Sequence, residues 1–257
     1  MIATLAKHRC LCRRCYLPFL LFSVIALSEG ENVFRLKNIN DAGTFYDNVI
    51  NRGSNYEGTT VFLEFDLDLT SSGYTVQTPV GKDDAKYFKG TFDGQGHIIE
   101  GLKMNTTFQY SGIFGYSKGL TVRNVVIGPA SSFTSSYTGS EKVCTGGIVG
   151  QCVPYEKPCI IENSVNMANI FFNHDISGGL FIGGIAGSLT GSDNEFPVVR
   201  NCANYGSISL TGKAGGPYLG GIVGYLGGSS TANPNLIQNC LNYGSYLSPE
   251  MRVGHRT

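Results

Sequence analysis

Two stretches near the end of the chain say nearly the same thing. "GGIAGSLTGSDNEFPVVRNCANYGS" runs from Gly183 to Ser207, and "GGIVGYLGGSSTANPNLIQNCLNYGS" runs from Gly220 to Ser245. Two looser copies precede them, "SGIFGYSKGLTVRNVVIG" from Ser111 and "TGGIVGQCVPYEKPCIIENSVNMANI" from Thr145. The glycine before each central aliphatic is Gly112, Gly147, Gly184 and Gly221, spaced 35, 37 and 37 residues apart. The asparagine after the second apolar run is Asn124, Asn163, Asn201 and Asn239, spaced 39, 38 and 38. Two independent landmarks therefore keep one period, the signature of a repeat architecture.

Each unit contains three short apolar pieces with turn residues between them, in the fourth unit Gly221–Leu226, Leu236–Leu241 and Tyr243–Leu247. No such piece buries a face alone. Stacked unit on unit, each pairs with its copy above and below, which makes parallel sheets wound around a narrow core. The fold class this predicts is all-β, a right-handed parallel β-helix (β-solenoid) of about five coils. The 35 glycines, the low charged fraction of 15% and the plentiful Tyr and Phe suit such a chain better than a helical bundle. Strands about 4.8 Å apart place equivalent side chains over one another. Ile113, Ile148, Ile185 and Ile222 are then one inward column, and Val122, Ile161, Val199 and Ile237 another. The four asparagines stack at a corner, where amide ladders satisfy side chains that a turn would bury. Cys202 and Cys240, one place later, are small inward residues, either two buried thiols in a column or a disulfide between coils. The repeated glycines supply positive φ at corners or let neighbouring coils approach closely.

Ahead of the repeats, "NINDAGTFYDNVINRG" (Asn38 to Gly53) reads as an amphipathic helix with Ala42, Phe45, Val49 and Ile50 on one face. Asn40 or Asp41 caps it and Gly53 ends it. A solenoid end exposes strand edges and core, so this helix is the expected N-terminal cap, within a segment spanning 29–59. "TVFLEFDLDL" (Thr60 to Leu69) alternates, with Glu64, Asp66 and Asp68 on the polar side. "YFKGTFDGQGHIIEGLKM" (Tyr87 to Met104) reads as strand, turn at Asp93-Gly94, strand. Residues 60–110 are thus expected to form the first coil or coils, and residues 111–247 the four repeats.

The first thirty residues have the shape of a secretory signal peptide: Lys7, Arg9, Arg13 and Arg14, then an apolar run from Tyr16 to Leu27, then the small pair Ala26 and Ser28. Cleavage near Ser28 is expected, making residues 1–28 the leader; the alternative is an uncleaved anchor, the only route to a membrane. Without those four basic residues, 15 basic residues face 19 acidic ones. A weakly acidic chain with no basic patch argues against a nucleic-acid partner. Cys10, Cys12 and Cys15 leave with the leader, and the remaining Cys144, Cys152, Cys159, Cys202 and Cys240 are odd in number. A local disulfide Cys152–Cys159, closing the insert "VPYEKP", is expected in an oxidising compartment. Asn105-Thr106-Thr107 is an N-glycosylation sequon, with Asn105 the acceptor.

Together, "EFDLDL" (Glu64–Leu69), "GTFDGQGHIIEGL" (Gly90–Leu102) and the four units resemble the GLUG-motif family of secreted and cell-surface proteins. The resemblance covers roughly residues 33–247. It implies a parallel β-helix similar to microbial adhesins, and it brings no catalytic residues. The first two units depart from its "NCxNxG" pattern, with Asn124-Val125 and "NSVNMAN".

No nucleophile elbow or zinc spacing appears, and no cofactor or metal is expected. Glu64, Asp66 and Asp68 on one strand face are the best case for glycoside chemistry or a calcium ion, with His97 as a base, and a solvated strand face is the plainer reading. The expected function is therefore an adhesion, binding or structural module at the cell surface or outside the cell, not an enzyme. Its expected partners are surface glycans or extracellular proteins, met through Tyr137, Tyr155, Tyr218 and Tyr243. The alternative is an extracellular polysaccharide lyase or hydrolase. The tail, 248–257, offers no amphipathic cap, so we expect a longer repeat protein, or an open end that meets a partner.

Overall fold

The structure is a computed structural model that describes residues 32–247 except 74, 193 and 229–234. The leader and the tail lie outside the described residues. Those described form 27 strands and one α-helix, and the strands assemble into five sheets, every pairing within them parallel. The chain is a parallel β-solenoid.

A winding visits the five sheets in a fixed order. The winding that starts at Val198 shows it: Val198–Arg200 in sheet 1, Ala203–Asn204 in sheet 2, Ile208–Leu210 in sheet 3, Pro217–Gly220 in sheet 4 and Ala186–Thr190's successor Val223–Gly227 in sheet 5. Four windings, beginning at Thr91, Thr121, Ile160 and Val198, are complete in this sense. The winding from Thr59 reaches sheets 1 to 3 and then meets its successor through the isolated parallel bridges Val80 to Phe114 and Phe88 to Ser117 rather than through a further strand. The winding from Leu236 also reaches sheets 1 to 3. Phe92 pairs with Val122 after 30 residues, whereas Val122, Ile161, Val199 and Ile237 follow one another after 39, 38 and 38.

The expected aliphatic columns are present. Val61, Phe92, Val122, Ile161 and Val199 stack in sheet 1 and are all buried; Ile237, in the last described winding, is 45% exposed. Each fully buried member contributes about 1.5–3 kcal/mol. Ile148 donates its backbone N–H to Ile185, and Ile185 to Ile222, at 3.0 and 2.9 Å. These isoleucines stand at the bend between sheets 4 and 5, not inside a strand. The expected three pieces per unit are five short strands, because Gly-Ile turns the chain at one place and asparagine turns it at another.

The asparagine turn has a sharp conformational signature. Asn124, Asn163, Asn201 and Asn239 have φ of 55, 50, 53 and 52°. This is the left-handed region, which asparagine tolerates better than other residues with a Cβ. The repeated glycines were expected to serve corners through positive φ or close approach, and Gly147, Gly184 and Gly221 do the second. A Cβ on Gly184 would lie 2.2 Å from Asn204 Cγ, and one on Gly147 would lie 2.5 Å from Asn166 Cγ. Gly112 likewise faces backbone: a Cβ there would lie 2.8 Å from Gly146 O.

The N-terminal helix, α1, spans Ile39–Ile50. Its cap is Asn38, not Asn40 or Asp41: Asn38 Oδ1 accepts from the N–H groups of Asn40 and Asp41 at 2.9 and 3.1 Å. Asp41 instead accepts from the Lys37 N–H at 2.9 Å, a reciprocal cap in which both side chains satisfy free donors. Phe45 and Val49 are buried, and Phe45 packs against Tyr56, Phe88 and Phe92 with ring centroids 5.1–6.0 Å apart. The first strand, Asn32–Leu36, lies beside Thr59–Leu63 and ends sheet 1. Helix and strand together cover the start of the core.

Two further expectations are corrected. Thr60 to Leu69 is not one strand: Thr59–Leu63 ends, the chain bends at 64–66, and Leu67–Asp68 joins sheet 2. In the Asp93-Gly94 turn, positive φ falls on Gln95 and Gly96. Gly94 serves close approach, since a Cβ there would lie 2.4 Å from Asn124 O.

Candidate functional site

The three carboxylates of the "EFDLDL" stretch do not converge. Glu64 pairs with Arg35 of the neighbouring strand. Asp66 Oδ1 accepts from the Ile98 N–H at 3.0 Å and lies 2.9 Å from His97 Nδ1. Those two contacts, the backbone one first, hold its carboxyl below the usual range. Asp68 Oδ1 accepts from the hydroxyl and the N–H of Thr70 at 2.6 and 2.8 Å, and these bonds, the hydroxyl one first, lower its pKa. Each carboxylate is engaged at its own bend. His97 faces Asp66 rather than the Asp93 turn, whose Asp93 binds Arg123 at 2.8 Å and Asn124 at 2.9 Å. Among the described residues no three His, Cys, Asp or Glu side chains group as a metal site. A shallow groove of about 430 Å³ beside the first winding is lined by Phe34, Asn48, Tyr56 and Glu57 among others. Its Glu57 is already paired with Lys89.

The repeat produces ladders, and three of them shape the surface or the interior. The outer asparagines form the expected one: Asn201 Nδ2 donates to Asn163 Oδ1 at 3.0 Å, and Asn239 Nδ2 to Asn201 Oδ1 at 3.3 Å. Asn124 donates to Asp93 instead. A second ladder, buried at Asn166 and Asn204 and exposed at Asn242, was not expected. Asn166 Nδ2 donates to Asn204 Oδ1 at 2.9 Å, and Asn204 Nδ2 to Asn242 Oδ1 at 2.8 Å. Each also donates to the carbonyl two residues on, at Ala168, Gly206 and Gly244. The third ladder is ionic: Asp93, Arg123, Glu162 and Arg200 occupy one column, so charge alternates at every step. Like charges one strand apart repel, so alternation is the arrangement a parallel stack tolerates.

The disulfide Cys152–Cys159 is formed, as expected. The loop it closes is a clamp. Lys89, only 2% exposed, donates to Glu156 at 2.7 Å and to Glu57 at 2.5 Å, and its Nζ lies 4.3 Å from the centre of the Tyr155 ring. Burial pushes the Lys89 pKa down, but the two carboxylates outweigh it and the net direction is up. Lys118 pairs with Asp84 at 2.8 Å and lies over Tyr87 and Tyr155 at 4.5 and 5.4 Å. Tyr155 is thus engaged by two cations while remaining 47% exposed. Tyr137 packs against the core and is also not a free loop aromatic.

The other two expected aromatics, Tyr218 and Tyr243, remain at the surface in company. Tyr243 stacks face to face on Tyr205, with centroids 5.0 Å apart and planes 9° apart. The two are 65% and 50% exposed. They follow the inner asparagines Asn242 and Asn204, which fix their backbones, and Met167 occupies the same place one winding earlier. Tyr218 forms a second patch with Phe181 and Tyr225, at centroid distances of 5.3 and 6.1 Å. The sequence signal for the first pair was the "NYG" shared by the last two units. Asn105 is exposed on the strand Lys103–Thr106, with its Oδ1 accepting from Ser136 Oγ at 2.6 Å.

Cys144 is a free thiol, fully buried and pushed up to about 12 by burial. Cys202 and Cys240 are free thiols, the first buried and the second half-buried. No helix among the described residues is long and apolar enough to cross a membrane. No protein-family model matches the chain, and no curated protein or solved structure matches it either.

Proposed function

We propose that the chain is a non-catalytic adhesion or binding module of the cell surface or extracellular space, of the kind its GLUG-type motifs suggest. The observation that carries this reading is the exposed Tyr205–Tyr243 stack, held on a rigid parallel frame. Such a stack offers a flat apolar face with two hydroxyls at its rim, which suits the faces and edges of sugar rings. The ladders beneath hold it in place before any ligand arrives, which lowers the ordering cost of binding. The leader-like segment and the Asn105 sequon agree with secretion. The carboxylates Glu64, Asp66 and Asp68 are each engaged locally, which weighs against the polysaccharide-processing alternative.

A glycan binding screen with the secreted chain tests this. Binding to a defined class of surface glycan is expected, and Tyr205→Ala with Tyr243→Ala is expected to weaken it by on the order of tenfold or more, with circular dichroism unchanged. Capture of an extracellular protein in place of glycans, lost with the same variants, keeps the binding reading and changes the ligand class. Reproducible cleavage of a polysaccharide, abolished by Asp66→Ala, overturns it in favour of an enzyme.

A further inference from the structure

The two thiols near the end of the stack form a site that glycan binding does not use. Cys202 and Cys240 follow the left-handed asparagines of successive windings, and the flanking strands pair in register, Arg200 with Gln238 and Ala203 with Leu241. The cysteines therefore stand one strand spacing apart. That spacing, about 4.8 Å, lies inside the Cα separation of about 4.4–6.8 Å that a disulfide spans. Both thiols point the same way. Cys202 Sγ lies 3.3 Å from Arg200 O and 3.7 Å from Ile161 O; Cys240 Sγ lies 3.3 Å from Gln238 O and 3.6 Å from Val199 O. The bond requires the two side chains to turn toward each other, and Cys240, half-buried where Cys202 is buried, is the one with more room. The neighbouring Cys202 side chain holds the pKa of Cys240 down, and Cys240 in turn holds that of Cys202 up. Thiolate character thus gathers on the accessible member.

We propose that Cys202 and Cys240 are an oxidisable pair that closes to a disulfide between windings when the protein meets a small-molecule disulfide such as oxidised glutathione. The Cys240 thiolate attacks one sulfur of that disulfide, forming a mixed disulfide and releasing one small thiolate. Cys202 then loses its proton to solvent and attacks Cys240 Sγ. The protein disulfide forms, and the second small thiolate leaves. The protein gives up two electrons and two protons, and the small disulfide becomes two thiols. The product ties together the last two described windings, whereas Cys152–Cys159 closes a loop within one. This inference is independent of the glycan reading.

Peptide mapping tests it. The folded chain is incubated with oxidised glutathione, remaining thiols are alkylated after denaturation, and the non-reduced digest is read by mass spectrometry. A peptide pair joining Cys202 to Cys240 is expected, with Cys144 alkylated as the buried control. Cys202→Ser, which places at this position the residue already present at Ser164, is expected to stop at a glutathione adduct on Cys240. Cys240→Ala is expected to leave Cys202 unreacted. Recovery of Cys202 and Cys240 as alkylated thiols overturns the proposal, as does a lasting glutathione adduct on Cys240 of the unaltered chain. So does reaction of Cys202 in the Cys240→Ala variant.

Discussion

Replacing Asn204 with leucine is expected to lower the unfolding free energy by about 3 kcal/mol or more, read as a fall in the urea midpoint. Asn204 is 1% exposed and joins three windings. It accepts from Asn166 and donates to Asn242 and to Gly206 O. Leucine fills similar space but leaves the Gly206 carbonyl and one Asn166 N–H without partners in the core. Each orphaned buried group costs about 1–3 kcal/mol. Two comparisons separate hydrogen bonding from volume. Asn204→Asp keeps the shape and loses both donated bonds, so it is expected to be at least as damaging at neutral pH. Asn242→Leu removes a member of the same ladder where the side chain is exposed and water replaces the lost bonds, so a loss under about 1 kcal/mol is expected. Equal losses at Asn204 and Asn242 would mean that the ladder is not what holds the windings together.

Gly184→Ala is expected to be as damaging, at about 3 kcal/mol, although it adds a single methyl group. The added Cβ would lie 2.2 Å from Asn204 Cγ and 2.2 Å from Gly221 O. The second neighbour is backbone, held by the hydrogen bonds that link Ile185 to Ile222 and Gly184 to Gly220, and it cannot step aside. The contrast is Gly43→Ala in α1. It has nothing within 4 Å and an ordinary helical backbone, so it is expected to stabilise by about 0.5–1 kcal/mol. Because Gly184 makes room for Asn204, the two sites are not additive. Gly184→Ala combined with Asn204→Ala is expected to lose less than the sum of the single changes. Thermal unfolding of the four variants checks all of this in one series.

The columns were legible because a parallel stack repeats its register whenever the sequence repeats its period. Val122, Ile161, Val199 and Ile237 could be aligned by eye, and the outer asparagines with them. The inner asparagines were equally visible in "NCANYGS" and "NCLNYGS", but nothing in their spacing says that one asparagine turns the chain outside while the other, three residues later, points into the core. Their role appears only with Gly147, Gly184 and Gly221, whose missing side chains are the space they fill. Strands of two or three residues, such as Ala203–Asn204, are too short to show alternation. The five-sided winding therefore read as three pieces. Asn32–Leu36 has no copy elsewhere in the chain, so repetition could not reveal it. The lysine clamp depends on Tyr155 and Glu156 returning to Lys89 across 66 and 67 residues, and no local pattern encodes that meeting.

Spin-label distances test the parallel stack most directly. Asn105, Thr134, Phe171 and Ser209 occupy one outward column on successive windings of sheet 3. Labels are placed in pairs at these positions in a chain whose free cysteines are replaced. Separations that grow evenly, by about 4.8 Å for each winding from Asn105/Thr134 to Asn105/Ser209, are expected. Separations that do not grow in that order, or that bring Asn105 and Ser209 closer than Asn105 and Phe171, would contradict the solenoid.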